Sequence, residues 1–244
     1  MIAVSGLHKR FAENHVLRGV DLEIPEGSTC VILGGSGSGK TVLMKHMIGL
    51  LRPDEGSVHV DGEDIAPLND VGLARVREKC GMVFQGAALF DSMTVYDNVS
   101  FPLREHTTLA EDEIRAVVRE KLGIVGLEGV EERYPADLSG GMRKRVGLAR
   151  AIVRDPKIVL YDEPTTGLDP ITTAYVDDMI LDARRSLGVT SVVISHDVAS
   201  AFKVADRLAF LYQGVIVEQG TPESFRRSRH PALKSFLESW FGKN

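Results

Sequence analysis

Gly34-Gly35-Ser36-Gly37-Ser38-Gly39-Lys40-Thr41 is the stretch on which the reading of this 244-residue chain turns. It fits the pattern G-x-x-x-x-G-K-[ST] at every fixed position. The fully apolar run Cys30-Val-Ile-Leu33 precedes it, and Lys40 to Leu51 follows with Leu43, Met47, Ile48 and Leu51 at helical spacing. The order is therefore strand, glycine loop, helix. Each residue type answers a physical demand. Glycines let successive backbone N–H groups converge on an anion, and the helix N-terminus adds its partial positive charge at the same point. Lys40 is placed for β and γ phosphates, and Thr41 offers a hydroxyl to Mg²⁺.

Such a loop needs a carboxylate near the metal and a base for the attacking water. Ile158-Val-Leu-Tyr161-Asp162-Glu163 offers both at the end of an apolar strand. Asp162 is expected to act on Mg²⁺ through water, and Glu163 to be the general base, a role worth on the order of 10² to 10⁴ in rate. The same two acids could merely terminate a strand. His196 lies 34 residues beyond Asp162 and ends a second apolar strand, Ser191-Val-Val-Ile-Ser-His196. It should emerge on the same sheet edge and reach the γ-phosphate, although a lone histidine is more often structural.

The first third of the chain alternates in the manner of short strands: Ala3 to Leu7, then Val16, Val20, Leu22 and Ile24. The runs Ile158 to Tyr161 and Ser191 to Ile194 are separated by a helical stretch from Thr172 to Ser186, the pattern of buried parallel strands with helical crossovers. Glu111 to Leu122 and Ser139 to Arg154 also read as helices. The expected fold is α/β: a P-loop NTPase (RecA-like) core with an N-terminal antiparallel β-subdomain and an α-helical subdomain inserted at about 86–155, all in one domain spanning 1–244. A helical tail is expected over about 221–244. There Thr221-Pro222 and His230-Pro231 mark two helix starts, and Leu233, Phe236, Leu237, Trp240 and Phe241 form one apolar stripe.

Composition limits the function classes. Lys and Arg number 29 against 34 Asp and Glu, a net charge of -5, so a basic nucleic-acid-binding surface is not expected. The longest stretch free of these four residue types, Gly27 to Gly39, has 13 residues, short of the roughly 20 that span a bilayer. No secretory h-region opens the chain, and Cys30 and Cys80 read as buried reduced thiols of a cytosolic protein.

The segment Leu138-Ser139-Gly140-Gly141-Met142, 20 residues before Asp162, selects among phosphate-loop proteins. With it, the sequence resembles the ATP-binding cassette ATPases, whose signature is LSGGQ. The resemblance runs in order along nearly the whole chain. It gives Phe11 the place of the adenine-stacking aromatic, Gln85 that of the Q-loop glutamine touching metal or water, Gly167-Leu168-Asp169 that of the D-loop, and His196 that of the switch histidine. Met142 departs from the usual glutamine. What the resemblance implies is an ATP hydrolase using ATP and Mg²⁺. Two copies would pair head to tail, each ATP lying between one copy's Gly34–Thr41 loop and the other's Ser139, Gly140, Gly141, Met142 and Asp169. Taken alone, Ser139 to Gly141 could equally be an ordinary helix N-cap, and Phe11 a core aromatic.

The block Phe84-Gln85-Gly-Ala-Ala-Leu-Phe90 through Asn98, Pro102 and His106 resembles the Mla-type, MCE-associated ATPases of bacterial phospholipid trafficking. That resemblance implies permease subunits docking near 86–106, an MCE-domain protein and a small STAS-type accessory subunit as partners, no nucleic acid, and a place on the cytoplasmic face of the inner membrane. A cassette ATPase for amino acids, metals or drugs is the main alternative. A soluble, non-transport cassette protein is a weaker one, because tandem cassettes and a long coiled-coil insertion are missing. A small-molecule kinase is weaker still, as it would lack the signature.

Overall fold

The computed structural model describes residues 1–241. In chain order its elements are β1 (Ile2–Phe11), β2 (Asn14–Ile24), β3 (Thr29–Leu33), α1 (Lys40–Met47), β4 (Glu55–Val60), β5 (Glu63–Asp64), α2 (Asp70–Glu78), β6 (Cys80–Val83), α3 (Val95–His106), α4 (Glu111–Ile124), α5 (Gly140–Ile152), β7 (Ile158–Asp162), α6 (Pro170–Leu187), β8 (Thr190–Ser195), α7 (Val198–Val204), β9 (Arg207–Tyr212), β10 (Val215–Gly220), α8 (Pro222–Arg226) and α9 (Pro231–Phe241).

Two sheets result. An antiparallel one has the order β2-β1-β4-β5, and a six-stranded one has the order β10-β9-β3-β8-β7-β6. In the second, β9, β3, β8, β7 and β6 run parallel and only β10 is antiparallel, closing the edge as a hairpin on β9. Strand β3 shows why the sequence demanded this. Its residues are buried on both faces: Val31 and Leu33 enter one core with the helices of the middle segment, while Cys30 and Ile32 enter another with α1 and the antiparallel sheet. A strand covered on both sides reads as an unbroken apolar run, as Cys30-Val-Ile-Leu33 does.

Helices α3, α4 and α5 occupy the segment between β6 and β7, and their apolar faces join the same core as β3, β7 and β8. Helix α3 carries Pro102 in its interior, the kind of residue that discourages a helical reading. Asn98, fully buried in α3, organises the turn that precedes the helix: its Nδ2 donates to the carbonyls of Phe90, Met93 and Thr94 at 2.9–3.1 Å, and its Oδ1 accepts from Phe90 N at 2.8 Å. Periodicity overestimated α1, which stops at Met47 rather than Leu51 because Gly49 takes a left-handed φ of 64°. It also missed β4, β5, α2, β6, α3, α7, β9 and β10. Both cysteines are free; Cys30 is buried as expected, but Cys80 is only partly covered.

Candidate active site

Strand β3 delivers the chain to the phosphate loop, and two close approaches fix it there. A Cβ on Gly34 would lie 2.5 Å from Leu211 O, and Gly39 has φ 105° against Val16 and Leu17. Only glycine fits both positions. Lys40 begins α1 buried, with its Nζ donating to Gly34 O at 2.9 Å and Gly35 O at 3.1 Å, 3.6 Å from Glu163 Oε1. Ser38 Oγ is buried without a hydrogen-bond partner. An orphaned hydroxyl and a buried ammonium in one glycine loop suit a phosphate.

Strand β7 ends beside β3's neighbour β8 and brings in the acids. Thr41 Oγ1 donates to Asp162 Oδ1 at 3.3 Å, and burial holds the Asp162 carboxyl above its ordinary range. A carboxylate that pays for desolvation beside a hydroxyl suits a hydrated divalent cation, which would restore its charge. Glu163 departs from strand geometry at φ 49°, while its N–H donates to Ile194 O of β8 at 3.0 Å. That bend turns the carboxylate toward three neighbours. His196 Nδ1 lies 2.7 Å from Glu163 Oε2, Thr166 Oγ1 donates to the same oxygen at 3.1 Å, and Lys40 stands across from Oε1.

One cavity of about 620 Å³ gathers these groups: Gly35 to Val42, Gln85, Glu163, Thr166 and His196 all line it, with Val16 at its side. The remaining residues read from the sequence lie elsewhere. Phe11 ends β1 with its ring 44% exposed and Lys9 Nζ 5.6 Å from the ring centre, so it is not a core aromatic, and it is not on the cavity wall. Ser139 caps α5, accepting from Met142 N at 3.2 Å. Asp169 caps α6, its Oδ1 accepting from Ile171 N and Thr172 N at 3.0 Å. Gly140, Gly141 and Met142 lie in the first turn of α5, away from this cavity.

Sequence reasoning missed four contributors. Thr166 holds Glu163, but lies just past the acidic pair. Lys144, within the basic run Arg143-Lys144-Arg145, is buried, and its Nζ donates to Pro164 O and to Thr166 O at 3.1 Å, fixing the loop after Glu163 from α5. Phe236 and Trp240 of α9 line the cavity, with the Trp240 ring centre 6.4 Å from that of His196. The apolar stripe signalled burial without indicating where. Phe236 packs on Phe210 of β9 and Leu233 is fully buried, so the tail packs on its own chain; the side chain of Phe241 and residues 242–244 lie outside the described residues.

Residues 17–166 match the ABC transporter family, and the chain belongs to it. It is the ATP-binding and ATP-hydrolysing component of a transporter. Among relatives, the probable ribonucleotide transport ATP-binding protein mkl of Mycobacterium leprae is 46% identical over 97% of this chain, which covers 68% of that protein. Against the mkl proteins of other mycobacteria the chain spans 66% of their length. The intermembrane phospholipid transport system ATP-binding protein MlaF of Haemophilus influenzae is 39% identical over 98% of this chain and 90% of its own. The ATP-binding cassette MJ0796, solved as a dimer in a post-hydrolysis state with ADP and Pi, is 31% identical with a TM-score of 0.82, covering 91% of this chain and 99% of its own. No helix among the described residues is long and apolar enough to cross a membrane.

Proposed function

We propose that two copies of this chain close head to tail on two ATP molecules and drive a permease that moves phospholipid between membranes. The observation carrying the dimeric half of this reading is a division of labour. Gly35–Thr41, Gln85, Glu163 and His196 converge on one cavity, whereas the signature turn Ser139–Gly141, at the start of α5, lies outside it. A second copy must bring that turn to the phosphates. The dimeric MJ0796 cassette supports the same arrangement.

In this reading the loop amides and Lys40 hold the phosphates, and Phe11 stacks on adenine, a contact worth about 1–3 kcal/mol. Ser139, Gly140, Gly141, Met142 and Asp169 complete the site from the partner. Thr41, Gln85 and, through water, Asp162 would hold Mg²⁺, which would neutralise phosphate charge there. Glu163 takes the proton of the attacking water, and His196, 2.7 Å away, orients it and faces the γ-phosphate. The chain sits on the cytoplasmic face of the inner membrane as a peripheral subunit.

The permease docks on the groove lined by Phe84, Phe90, Phe101, Pro102, Arg150 and Arg154, at the edge of the 86–106 block. An MCE-domain protein and a small STAS-type subunit complete the proposed complex. Phospholipid is preferred as cargo because the chain accounts for nearly all of MlaF and only two thirds of mkl; the latter's name supports ribonucleotide as the second reading. Labelled phospholipid, and not labelled ribonucleotide, should cross between membranes in an ATP-dependent manner in the reconstituted transporter. The reverse result reassigns the cargo.

The shared site is tested by mixing Lys40→Ala with Ser139→Arg chains. Their mixed dimer contains one site with both lesions and one with neither, so about half its sites are intact. Activity should return on mixing; an inactive mixed dimer of verified assembly places the whole site within one chain.

A further inference from the structure

Gly141 is the second glycine of the signature turn, and nothing in its own backbone requires glycine, since its φ is not in the left-handed region. Space explains it. A Cβ built there would stand 2.7 Å from Cγ2 of Thr172. Thr172 belongs to the first turn of α6, and its other γ atom is committed elsewhere: Oγ1 donates to Asp169 Oδ2 at 2.6 Å, while its N–H donates to Asp169 Oδ1 at 3.0 Å. These bonds hold the Asp169 carboxyl below its ordinary range. One β-branched side chain thus presses its methyl on the signature turn and its hydroxyl on the turn carrying Asp169. Threonine's stiffness at χ1 means that neither contact can move without the other.

We propose that Thr172 is a positioning residue that locks the signature turn Ser139–Gly141 and the Asp169 turn of the same chain into one body, so that both reach the partner's ATP together. The proposal rests on the head-to-tail reading above. Its consequence is directional: a Thr172 lesion damages the site on the other chain's phosphate loop and leaves its own chain's loop intact. No alternative residue type does both tasks. Serine keeps the hydroxyl and gives up the methyl; valine keeps the methyl and gives up the bond to Asp169. Asp169 retains its two backbone donors in either variant, so α6 stays capped.

The test uses the full chain carrying Thr172→Val or Thr172→Ser. Losing a hydrogen bond to a carboxylate should lower kcat of the valine homodimer by about tenfold or more, with KM for ATP within about twofold, while serine remains within about threefold of wild type. Gly141→Ala should be less active than Gly141→Ala/Thr172→Ser, because removing the methyl makes room for the new Cβ. In a mixed dimer with Lys40→Ala, the Thr172→Val chain supplies the only working loop and meets an unaltered signature. Its activity should equal that of a wild-type/Lys40→Ala mixed dimer.

Three outcomes overturn the proposal: unchanged kcat in Thr172→Val, no gain from Thr172→Ser in the Gly141→Ala background, or a Thr172→Val/Lys40→Ala dimer that stays impaired while Ser139→Arg/Lys40→Ala recovers. Failure of that last control refutes the head-to-tail reading instead, which keeps the two separable.

Discussion

Trp240 is the chain's single tryptophan, and it stands beside His196 in the wall of the cavity proposed to take the nucleotide. ATP entering that cavity must therefore alter the surroundings of the only indole in the molecule. With 43% of its surface exposed, somewhat more than half is covered, on the order of 130 Å² for a side chain of this size. At about 25 cal/mol per Å² the covered area is worth about 3 kcal/mol as an upper bound, and ordering the side chain in a terminal helix reduces this to about 1–2 kcal/mol. Trp240→Ala should lower the melting temperature by roughly 2–8 °C at about 2–4 °C per kcal/mol for a chain of this size. Removing 232–244 should cost more, since fully buried Leu233 and the Phe236–Phe210 contact go with it. The assay is intrinsic fluorescence during ATP titration with Mg²⁺. Emission should change and saturate over the concentration range that saturates hydrolysis, and Lys40→Ala should abolish the response. Emission that is unchanged at saturating ATP, or that changes equally in Lys40→Ala, refutes the placement of α9 at the site.

Glu163→Gln should retain ATP binding, because Lys40, Thr41 and Asp162 are untouched, and lose turnover by at least about 10², accumulating as an ATP-bound dimer in size-exclusion chromatography; near-normal hydrolysis removes Glu163 as the base. Asp177, 3% exposed in α6, accepts from Ser200 Oγ and lies 3.8 Å from Lys203 Nζ, and burial holds its carboxyl above the ordinary range. The folded chain then keeps this proton to higher pH than the unfolded chain, so the group's contribution is present in acid and is lost as pH rises through the folded value. Asp177→Asn, which keeps the acceptor for Ser200, should gain melting temperature relative to wild type as pH rises above the ordinary carboxylate range; a gap that moves the other way contradicts the assignment.

The legible parts of the sequence were those in which local chemistry and burial agree. Glycines between an apolar run and a helix announce the phosphate loop; apolar strands ending in Asp162-Glu163 and His196 announce the sheet edge, since parallel strands place their C-terminal ends together. Illegible parts depended on which distant surface a residue meets. Lys144 reads as one of three solvated cations, yet its neighbours in space are two carbonyls of the loop after Glu163. Thr172 lies outside every motif because its importance is a methyl's distance from Gly141 in another helix. Pro102 hid α3, and the short, half-exposed strand β10 lacks the apolar run that marked β3 and β8. Ser139 and Asp169 illustrate a further limit: as helix caps they satisfy their own chain completely, so their geometry alone does not distinguish a cap from a contact across a dimer.

Strain shows why helix α5 matters beyond its first turn. Ala87 and Ala88, two and three residues after Gln85, both adopt left-handed φ values of 62° and 48°, and Glu163 adopts 49°. Non-glycine residues hold such conformations at a cost of about 1–3 kcal/mol each, and only where the surroundings over-determine them. Arg150 of α5 donates to Ala87 O at 2.8 Å, and Gly147 of the same helix allows Ala87 to approach within 3.3–3.5 Å of where its Cβ would stand. Two turns earlier, Lys144 clamps the carbonyls that follow Glu163. Ser139 caps that helix at the end that carries the signature turn. The strained turn carrying Gln85, the strained bend carrying Glu163 and the signature are therefore fastened to one rod. All three are thus anchored on one helix of 13 residues, the first by Arg150, the second by Lys144 and the third at its capped start. On the head-to-tail reading proposed above, contact of a partner's ATP with Ser139–Gly141 would thus be linked through α5 to this chain's own glutamine turn and candidate base.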